Sequence, residues 1–301
     1  MPAPELVTIG EAFEDLIFAN LDRLPRSGEE IRTRTLVRTI GGGAVITAIA
    51  AARLGLRARI VSALSAAAAT RLRRERVSVL NLKRRSEPHA VTAALSTAAE
   101  RTFVTFNGVN DAIEPRLLEA AGRARGRHVH LACYPRRCAR WIQALDGLRA
   151  RGISTSWDFG FNDQLLRDRQ FPALLTRLDY VFFNDQEARL YARLARLDAA
   201  IARWRTHPRV IVVKMGDRGS RWIGDGRVLE AAARRVRAID TTGAGDALNA
   251  GFLFARLRGG SPRRSLETGN FVGAMSTRAV GGIDGLPRRR ELPSALRVRA
   301  S

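Results

Sequence analysis

The segment Asp240-Thr241-Thr242-Gly243-Ala244-Gly245-Asp246 brings carboxylates, hydroxyls and glycines together immediately before the apolar run Ala247 to Leu257. This pattern predicts a tight turn that leads into a helix, because glycine permits sharp turns and close approach to a ligand. The unpaired N–H groups and positive dipole end of that helix would bind an anion such as a phosphate. Asp246 lies beside this anion site, where a carboxylate can accept a proton from a hydroxyl that attacks a phosphoryl group. The residues alone leave an ordinary aspartate N-cap equally open.

The same segment matches D-T-x-G-A-G-D at every fixed position, and this run is the C-terminal signature of the ribokinase-like, or PfkB-type, carbohydrate kinases. The chain resembles that family from Ile9-Gly10-Glu11 to Gly285-Leu286-Pro287. The resemblance implies ATP-dependent phosphorylation of a hydroxymethyl group on a sugar or sugar-like molecule, with Asp246 as the base. The implied anion hole consists of the N–H groups of Gly243, Ala244 and Gly245.

Two further segments are candidates for contacting the substrate. Gly41-Gly42-Gly43 precede the helix-forming run Ala44 to Leu54, and three glycines let the backbone come close to a ligand. Gly41 and Gly42 coincide with the glycine pair that lies under the sugar in the resembled family. Asp15 falls where that family keeps an aspartate, at the end of the first strand, to hold sugar hydroxyls. A dinucleotide-binding G-x-G-x-x-G fingerprint is disfavoured, because its third glycine would fall at Ile46.

The resemblance also assigns residues to the nucleotide and to cations. Asn184 and Glu187 match an N-x-x-E motif that organises Mg²⁺ and the phosphates, largely through water, and their spacing also fits a helix capping box. Asp240 and Thr242 resemble a loop that supports a monovalent cation, such as K⁺, in many relatives. The residues implied to contact ATP are Asn184, Lys214, Gly216, Gly219 and Asn270.

Two positions depart from the family pattern. Ile46 stands where relatives usually carry an asparagine whose amide holds sugar hydroxyls, and isoleucine cannot make that contact. We therefore expect a substrate that is less polar at that point than ribose or fructose. The second departure is the alanine run Ala66 to Ala69, where relatives have Gly-x-Asp-x-x-Gly. It predicts a helix that lacks the family's carboxylate.

Apolar runs alternate with helix-forming segments over most of the chain. The predicted strands are Leu6 to Ile9, Ile60 to Leu64, Val129 to Ala132, Ser154 to Trp157, Val181 to Phe183 and Ile211 to Val213. The predicted helices are Ala44 to Leu54, Leu117 to Arg125, Arg137 to Arg149, Ala247 to Leu257 and Gly273 to Ala279. This alternation predicts an α/β fold: a three-layer α/β/α domain with a mostly parallel central sheet and ligands at the carboxyl ends of its strands. We expect residues 1–301 to form one kinase domain.

Two less regular regions, about 12–37 and about 88–107, are predicted to supply the strands of a small β-sheet lid, as in the resembled family. Arg101 and Phe103, in the second region, are candidates for reaching over the substrate. The aromatic residues of this region could instead pack the lid against the body of the protein. The resemblance also raises a homodimer formed through the lid.

The formal net charge of +22 suggests a nucleic-acid-binding protein at first sight. The excess is nearly all arginine and is spread along the chain, without zinc-finger spacing, an RNP motif or a basic zipper, so we expect no nucleic-acid partner. Cys133 and Cys138 have no CxxC partner, and His128 and His130 have no third ligand nearby. No apolar run approaches membrane-spanning length. We expect a soluble, cytoplasmic protein without a membrane partner.

Other interpretations stay open at this point. A catalytically weak or inactive sugar- or nucleotide-binding protein that keeps the kinase fold is motivated by Ile46 and by the alanine run. A nucleic-acid-associated protein is motivated by charge alone. For a working kinase, a ketohexose, a pentose, a keto-deoxy sugar acid and a nucleoside all remain candidate substrates, and the sequence does not choose among them.

Overall fold

The computed structural model describes residues 3–97 and 101–297, which form two sheets. The strands, in chain order, are β1 (Leu6–Gly10), β2 (Phe13–Leu21), β3 (Thr35–Gly41), β4 (Ala58–Ser62), β5 (Ser78–Asn81), β6 (Val91–Thr97), β7 (Arg101–Phe106), β8 (His128–Ala132), β9 (Ser154–Asp158), β10 (Tyr180–Asn184), β11 (Val210–Lys214), β12 (Ser220–Gly224) and β13 (Arg227–Ala231). The large sheet has the order β13-β12-β11-β10-β9-β8-β1-β4-β5. Its strands are parallel except for β12, which is antiparallel to both of its neighbours.

Helices cover both faces of the large sheet, as the three-layer prediction required. In chain order they are α1 (Gly43–Arg53), α2 (Ala66–Arg74), α3 (Glu114–Arg123), α4 (Cys138–Ala150), α5 (Phe171–Leu175), α6 (Asp185–Ala192), α7 (Leu197–Trp204), α8 (Ala244–Leu257) and α9 (Pro262–Ser276). On one face α1, α2, α8 and α9 pack against strand residues such as Ile60 and Phe182. On the other face α3 to α7 pack against Leu131 and Trp157. Among the described residues, no helix combines the length and apolar character needed to cross a bilayer.

The order of the strands locates the ligand crevice. The chain starts at β1 inside the sheet, adds β4 and β5 on one side, and then adds β8 to β11 on the other. Ligands of open α/β sheets bind at the carboxyl ends of the strands where this order switches, here between β1 and β8. A Cβ on Gly10, the last residue of β1, would lie 2.0 Å from the carbonyl oxygen of Ala132, so glycine is required at this switch point.

The small sheet has the order β3-β2-β6-β7, and its strands come from the two regions predicted for the lid. β2 pairs antiparallel with β3 and parallel with β6, whereas β6 pairs antiparallel with β7. β3 runs on to Gly41, past the predicted end of the first region near residue 37. Residues 98–100, inside the second predicted region, lie outside the described residues.

The helix predicted from Gly273 to Ala279 is wrong. α9 begins at Pro262 and ends at Ser276, because Ser261 caps it by accepting a hydrogen bond from Arg264 and Pro262 suits the first turn. Asn270 therefore lies inside this helix and not before it. The alanine run does form a helix, α2, as predicted.

Candidate active site

The glycine turn lies at the N-terminus of α8. Gly243 is the N-cap residue and has a φ of 71°, a left-handed conformation that glycine adopts without strain. The N–H of Ala244 donates to the carbonyl of Thr241 at 3.2 Å, and the N–H of Ala247 donates to the carbonyl of Gly243 at 2.9 Å. Within the part of the chain that is described, the N–H groups of Gly243 and Gly245 donate to no backbone carbonyl. They are free to bind an anion.

Asp246 lies between the N-termini of two helices. A Cβ on Gly43, the first residue of α1, would lie 2.9 Å from Oδ1 of Asp246. The hydroxyl of Thr47 donates to the backbone carbonyl of Asp246 at 3.2 Å and ties α1 to α8. The carboxylate is partly exposed and accepts no hydrogen bond from residues 3–97 or 101–297. Burial and the negative charge of Asp158 raise the pKa of Asp246 to about 7, against the opposing effect of Lys214.

Further charged side chains meet Asp246 at the carboxyl ends of the neighbouring strands. Asp158 ends β9 and forms a short ion pair with Nζ of Lys214, which ends β11. Asn249, one turn after Asp246 on α8, donates to the same oxygen of Asp158 at 2.6 Å. Burial alone would raise the pKa of Asp158, but the charge of Lys214 and these two hydrogen bonds lower it. Asp158 is thus held as a carboxylate.

Asn184 and Glu187 form the capping box that their spacing predicted, at the start of α6. Oδ1 of Asn184 accepts from the N–H of Glu187 at 2.8 Å, and Oε2 of Glu187 accepts from the N–H of Asn184 at 2.8 Å. Nδ2 of Asn184 donates to Oε1 of Glu187 at 2.6 Å. Burial and the charge of Asp158 raise the pKa of Glu187 to about 7. Nearby positive charge therefore only partly stabilises the ionised form of Glu187.

This donor set fits a hydrated Mg²⁺ better than a fully protein-bound one. In the described ranges, no group of His, Cys, Asp or Glu side chains clusters closely enough to hold a metal alone. The carboxylates of Asp158, Glu187 and Asp246 nevertheless interact with one another, and among the described residues the positive charge that acts on all three is that of Lys214. Mg²⁺ keeps several waters when it binds to few carboxylates and to substrate phosphates, so an excess of negative charge of this kind suits it.

The predicted sugar-binding residues gather at the N-terminus of α1. The family pattern implied that Asp15 would lie at the end of β1. Asp15 lies instead within β2, a strand of the small lid sheet. A Cβ on Gly41 would lie 2.0 Å from Oδ2 of Asp15, so only glycine leaves room for this carboxylate. Burial raises the pKa of Asp15 to about 7, with a smaller contribution from Asp240. Gly42 has a φ of 102° and is the N-cap of α1.

The two lid residues proposed to reach over the substrate differ in their surroundings. Arg101 donates hydrogen bonds from its guanidinium group to Asp240 and Thr242. Its positive charge is thus directed at the glycine turn. Phe103 is 53% exposed on β7.

The residues predicted to contact ATP fall into two groups. Gly216 has a φ of 62°, and a Cβ there would meet no atom within 4 Å among the described residues, so its backbone is open to a ligand. A Cβ on Gly219 would lie 2.1 Å from the carbonyl oxygen of Ala231, which gives this glycine a structural role. Asn270 is buried, accepts from Ser220 at 2.8 Å and donates to the carbonyl of Ala231 at 2.8 Å. Its amide thereby fixes β12 and β13 to α9.

Ile46 does not line an open substrate pocket, contrary to our expectation. Its side chain is only 3% exposed. Its Cδ1 atom would lie 2.5 Å from a Cβ on Gly243 and 2.6 Å from a Cβ on Gly282. Ile46 therefore packs directly against the anion-binding turn, because the two glycines leave space that its side chain fills. The role in substrate selection that we inferred from its identity stays a prediction.

His128 and His130 are core residues; both ring nitrogens of His128 are hydrogen-bonded, whereas Nε2 of His130 has no hydrogen-bond partner among the described residues. Both are buried; His128 is hydrogen-bonded to Ser154 and Ser156, and His130 is hydrogen-bonded to Ser156, each at 2.8 Å. Burial lowers the pKa of His128 to about 3 and that of His130 to about 4, so both are neutral. Cys133 and Cys138 are buried free thiols.

Three residues of the site were not predicted from the sequence. Asp158 follows a predicted strand, and its place at the carboxyl end of that strand was a usable signal. Asn249 lies one helical turn beyond Asp246 and so shares its helix face, which the spacing also indicates. Tyr134 follows β8, and burial, followed by the negative charges of Glu11, Glu187, Asp158 and Asp246, raises its pKa. No local pattern marks Tyr134.

The parallel sheet, the helix N-terminus at its switch point and the carboxylate beside it define a phosphotransferase with an alcohol group as acceptor. The sequence model described as pfkB family carbohydrate kinase matches residues 3–289, and the chain belongs to this family. Membership supports ATP-dependent phosphorylation of a sugar as the general activity.

The relatives agree with this assignment. Ribokinase from Arabidopsis thaliana is 24% identical to this chain, over 98% of the chain and 82% of its own length. ATP-dependent ribose-1-phosphate kinase from Halopiger xanaduensis is 27% identical, over 87% of this chain and 88% of its own length. The structure of Arabidopsis thaliana ribokinase complexed with ribose and ATP has a TM-score of 0.78 at 22% identity, covering 98% of this chain and 99% of that one. This last likeness concerns the fold.

Proposed function

We propose that this chain transfers the γ-phosphoryl group of ATP to a hydroxymethyl group of a sugar or sugar-like molecule, with Asp246 as the general base. The observation that carries the proposal is the state of the Asp246 carboxylate. It accepts no hydrogen bond from a described residue, lies beside unbonded N–H groups of a helix N-terminus, and has its pKa raised to about 7. A base with a pKa near the working pH combines a useful ionised fraction with a strong tendency to take a proton.

In the proposed reaction the substrate hydroxyl loses its proton to Asp246 while its oxygen attacks the γ-phosphorus of ATP. A new P–O bond forms, the bond from the γ-phosphorus to the bridging oxygen breaks, and ADP leaves with that oxygen. The N–H groups of Gly243 and Gly245 stabilise the charge on the transferring group, together with that of Ala244 once it gives up its long bond to Thr241.

Lys214 adds a positive charge to the same place. Its Nζ lies 3.2 Å from the position of a Cβ on Gly245, so it reaches the anion-binding turn from the end of β11. Asp158 and Asn249 hold it there. Mg²⁺, when bound, would offset the charge of the ATP phosphates, and Glu187 and Asp158 would orient its waters.

The substrate would bind between the lid and the N-terminus of α1. Asp15 and the turn from Gly41 to Gly43 offer a carboxylate and a closely approachable backbone for hydroxyl groups. A lid that covers this site would exclude water and so suppress hydrolysis of ATP. The identity of the sugar is determined by measuring ADP formation with a panel of candidate substrates.

The proposal extends to a homodimer formed through the lid and to a cytoplasmic location, where ATP is available. β7 ends the small sheet, and Phe103, Val104 and Phe106 are 53%, 64% and 58% exposed. An edge strand with uncovered apolar side chains invites pairing with another chain. Sedimentation velocity of the wild type and of Val104→Lys tests the dimer. A wild type that stays monomeric at micromolar concentration rules it out.

The experiment for the reaction measures substrate-dependent ADP formation with a panel of pentoses, ketohexoses, keto-deoxy sugar acids and nucleosides. We expect one class to be turned over and Asp246→Asn to lower that turnover by about a hundredfold or more while ATP still binds. Asp198→Asn, whose side chain is 79% exposed on α7, is the matched control and should keep wild-type activity. Asp246→Asn activity within a few-fold of the wild type would remove Asp246 from the mechanism.

A further inference from the structure

Arg101 connects the lid to the glycine turn. It is the first residue of β7, and its Nε donates to the hydroxyl of Ser96 on β6 at 3.0 Å. One guanidinium nitrogen, Nη1, donates to Oδ1 of Asp240 and to Oγ1 of Thr242, both at 2.5 Å. The side chains of Arg101 and Asp240 are 23% and 2% exposed, so the ion pair is largely shielded from solvent.

Both oxygens of Asp240 are engaged. Oδ1 also accepts from the N–H of Thr242 at 2.7 Å, and Oδ2 accepts from the N–H of Gly281 at 2.8 Å. In the loop predicted to support a monovalent cation, the side-chain oxygens of Asp240 and Thr242 therefore already bind a guanidinium group. A cation at the same oxygens would have to displace a shielded, paired arginine and would be repelled by its charge. Asp240 and Thr242 do not fit a K⁺ site while Arg101 is in place.

We propose that the guanidinium group of Arg101 takes the place of a monovalent cation in this chain, so that its phosphoryl transfer needs no K⁺. The group neutralises Asp240 and fixes Thr242, the residue before the Gly243 N-cap, and so sets the position of the anion-binding N–H groups. Arg101 is a positioning residue, since it acts on the turn and not on the reacting atoms. Because Arg101 belongs to the lid sheet and its side chain contacts the turn, it couples the position of the turn to that of the lid. This inference rests on the proposed function.

The first test compares initial rates in KCl, NaCl and tetramethylammonium chloride at equal ionic strength and saturating Mg²⁺. We expect the wild type to differ by less than about twofold among the three salts. Arg101→Ala should lose about tenfold to a hundredfold in kcat in tetramethylammonium chloride, because a displaced turn misplaces the anion-binding groups. KCl or millimolar guanidinium chloride should restore part of the lost rate.

The second test does not depend on turnover. The melting temperature of the ATP-free wild type should show no K⁺-specific shift, whereas that of Arg101→Ala should rise with KCl, because an ion that binds only the folded state stabilises it. Arg38→Ala, which removes an exposed arginine from β3 of the same lid, is the matched control and should respond to K⁺ in neither test. Arg101→Lys keeps the charge and should stay insensitive to K⁺ with a smaller loss of rate.

Activation of the wild type several-fold by K⁺ would overturn the proposal. So would an Arg101→Ala protein that folds and yet gains no response to K⁺ or guanidinium in either rate or melting temperature. Should Arg101→Ala not fold, Arg101→Gln takes its place. If no substrate of the panel is phosphorylated in any salt, the proposed function fails, and the melting-temperature comparison still decides whether Arg101 replaces the cation.

Discussion

Asp240 and Asp246 stand at the two ends of one seven-residue turn, and their surroundings are opposite. Asp240 accepts hydrogen bonds from Thr242, Gly281 and Arg101. Burial alone would raise its pKa, but these hydrogen bonds and the charge of Arg101 lower it. Asp246 accepts none within the described ranges, and burial with the charge of Asp158 raises its pKa to about 7.

This contrast distinguishes Asp240, whose carboxylate holds the turn in place, from Asp246, whose carboxylate can accept a proton. A carboxylate that accepts several hydrogen bonds is stabilised in its ionised form, so it takes up a proton less readily and instead fixes backbone N–H groups in place. An unbonded, partly buried carboxylate is destabilised in its ionised form and gains when it takes a proton. The ionised carboxylate of Asp246 therefore lowers the stability of the folded protein, whereas that of Asp240 does not.

The largest expected effects come from changing each carboxylate to its amide. Asp246→Asn should lower kcat by about a hundredfold to ten-thousandfold. At pH 8 it should also raise the melting temperature by a few degrees. The folded-state pKa of about 7 lies above the ordinary 3.8, so ionised Asp246 destabilises the fold increasingly as pH rises through this window, and the amide removes that charge.

Asp240→Asn should change stability in the other direction. Its folded-state pKa is lowered, so the ionised form stabilises the fold above the ordinary pKa, and the amide also leaves Arg101 without its charged partner. Calorimetry of both variants at pH 5 and pH 8 measures the two signs. Shifts of the same sign at pH 8 would contradict the distinction between the two aspartates.

A smaller effect is expected from Gly243→Ala, between the two carboxylates. Alanine at a φ of 71° costs about 1–2 kcal/mol, and its Cβ would lie 2.5 Å from Cδ1 of Ile46. Either the end of the Ile46 side chain or the turn must shift to relieve this clash. Because Ile46 is buried, we expect the turn to take up part of the shift and kcat/KM to fall by up to about a hundredfold. Steady-state kinetics and calorimetry measure the two consequences.

Two variants separate the backbone strain of alanine at a positive φ from the displacement of the glycine turn. Gly259→Ala imposes a φ of 77° on alanine with no atom within 4 Å of the new Cβ among the described residues, so it should lose stability but keep activity. Ile46→Val removes the Cδ1 atom from the clash and should restore part of the activity of Gly243→Ala. If this double variant is no more active than Gly243→Ala, Ile46 does not restrict the turn.

Much of the fold follows from local signals in the sequence. The buried parallel strands are apolar runs such as Val181 to Phe183, and Gly243 and Asp246 mark the start of α8. The hairpin of β12 and β13 was missed although Asp225-Gly226 is a strong hairpin signal, and both residues have a positive φ of 51° and 70°. The boundaries of α9 were wrong because small residues were given more weight than the cap at Ser261.

The candidate site was less predictable, because its decisive contacts join distant residues. Arg101 and Asp240 are 139 residues apart, and Lys214 and Asp158 are 56 apart. No sequence spacing encodes such pairs, which depend on how the lid and the strand ends are brought together. Ile46 shows the same limit: its identity suggested a lost substrate contact, whereas its surroundings show packing against Gly243 and Gly282.

The smallest expected effect concerns the pH dependence of Asp246. Since Asp246 must be ionised to act, kcat/KM should rise with pH and level off above about 7. Burial and the charge of Asp158 raise the pKa of Asp246 most, and the charge of Glu187 adds to them, so Glu187→Gln should move the acidic limb to lower pH. The variant should also require more Mg²⁺, so rates are compared at saturating Mg²⁺.

The control is Asp185→Asn, which removes an acidic residue from the same first turn of α6. Asp185 adds to the raised pKa of Glu187, whereas the pKa of Asp246 responds to Asp158, Lys214 and Glu187. Asp185→Asn acts on the pKa of Asp246 only through Glu187, so it should displace the acidic limb of kcat/KM less than Glu187→Gln does. The raised pKa values of Glu187 and Asp246 belong to interacting groups, so the acidic limb reports the titration of both groups together. The quantity to compare is the displacement of the limb between each variant and the wild type. An acidic limb that stays fixed in Glu187→Gln would mean that the charge of Glu187 does not reach the base.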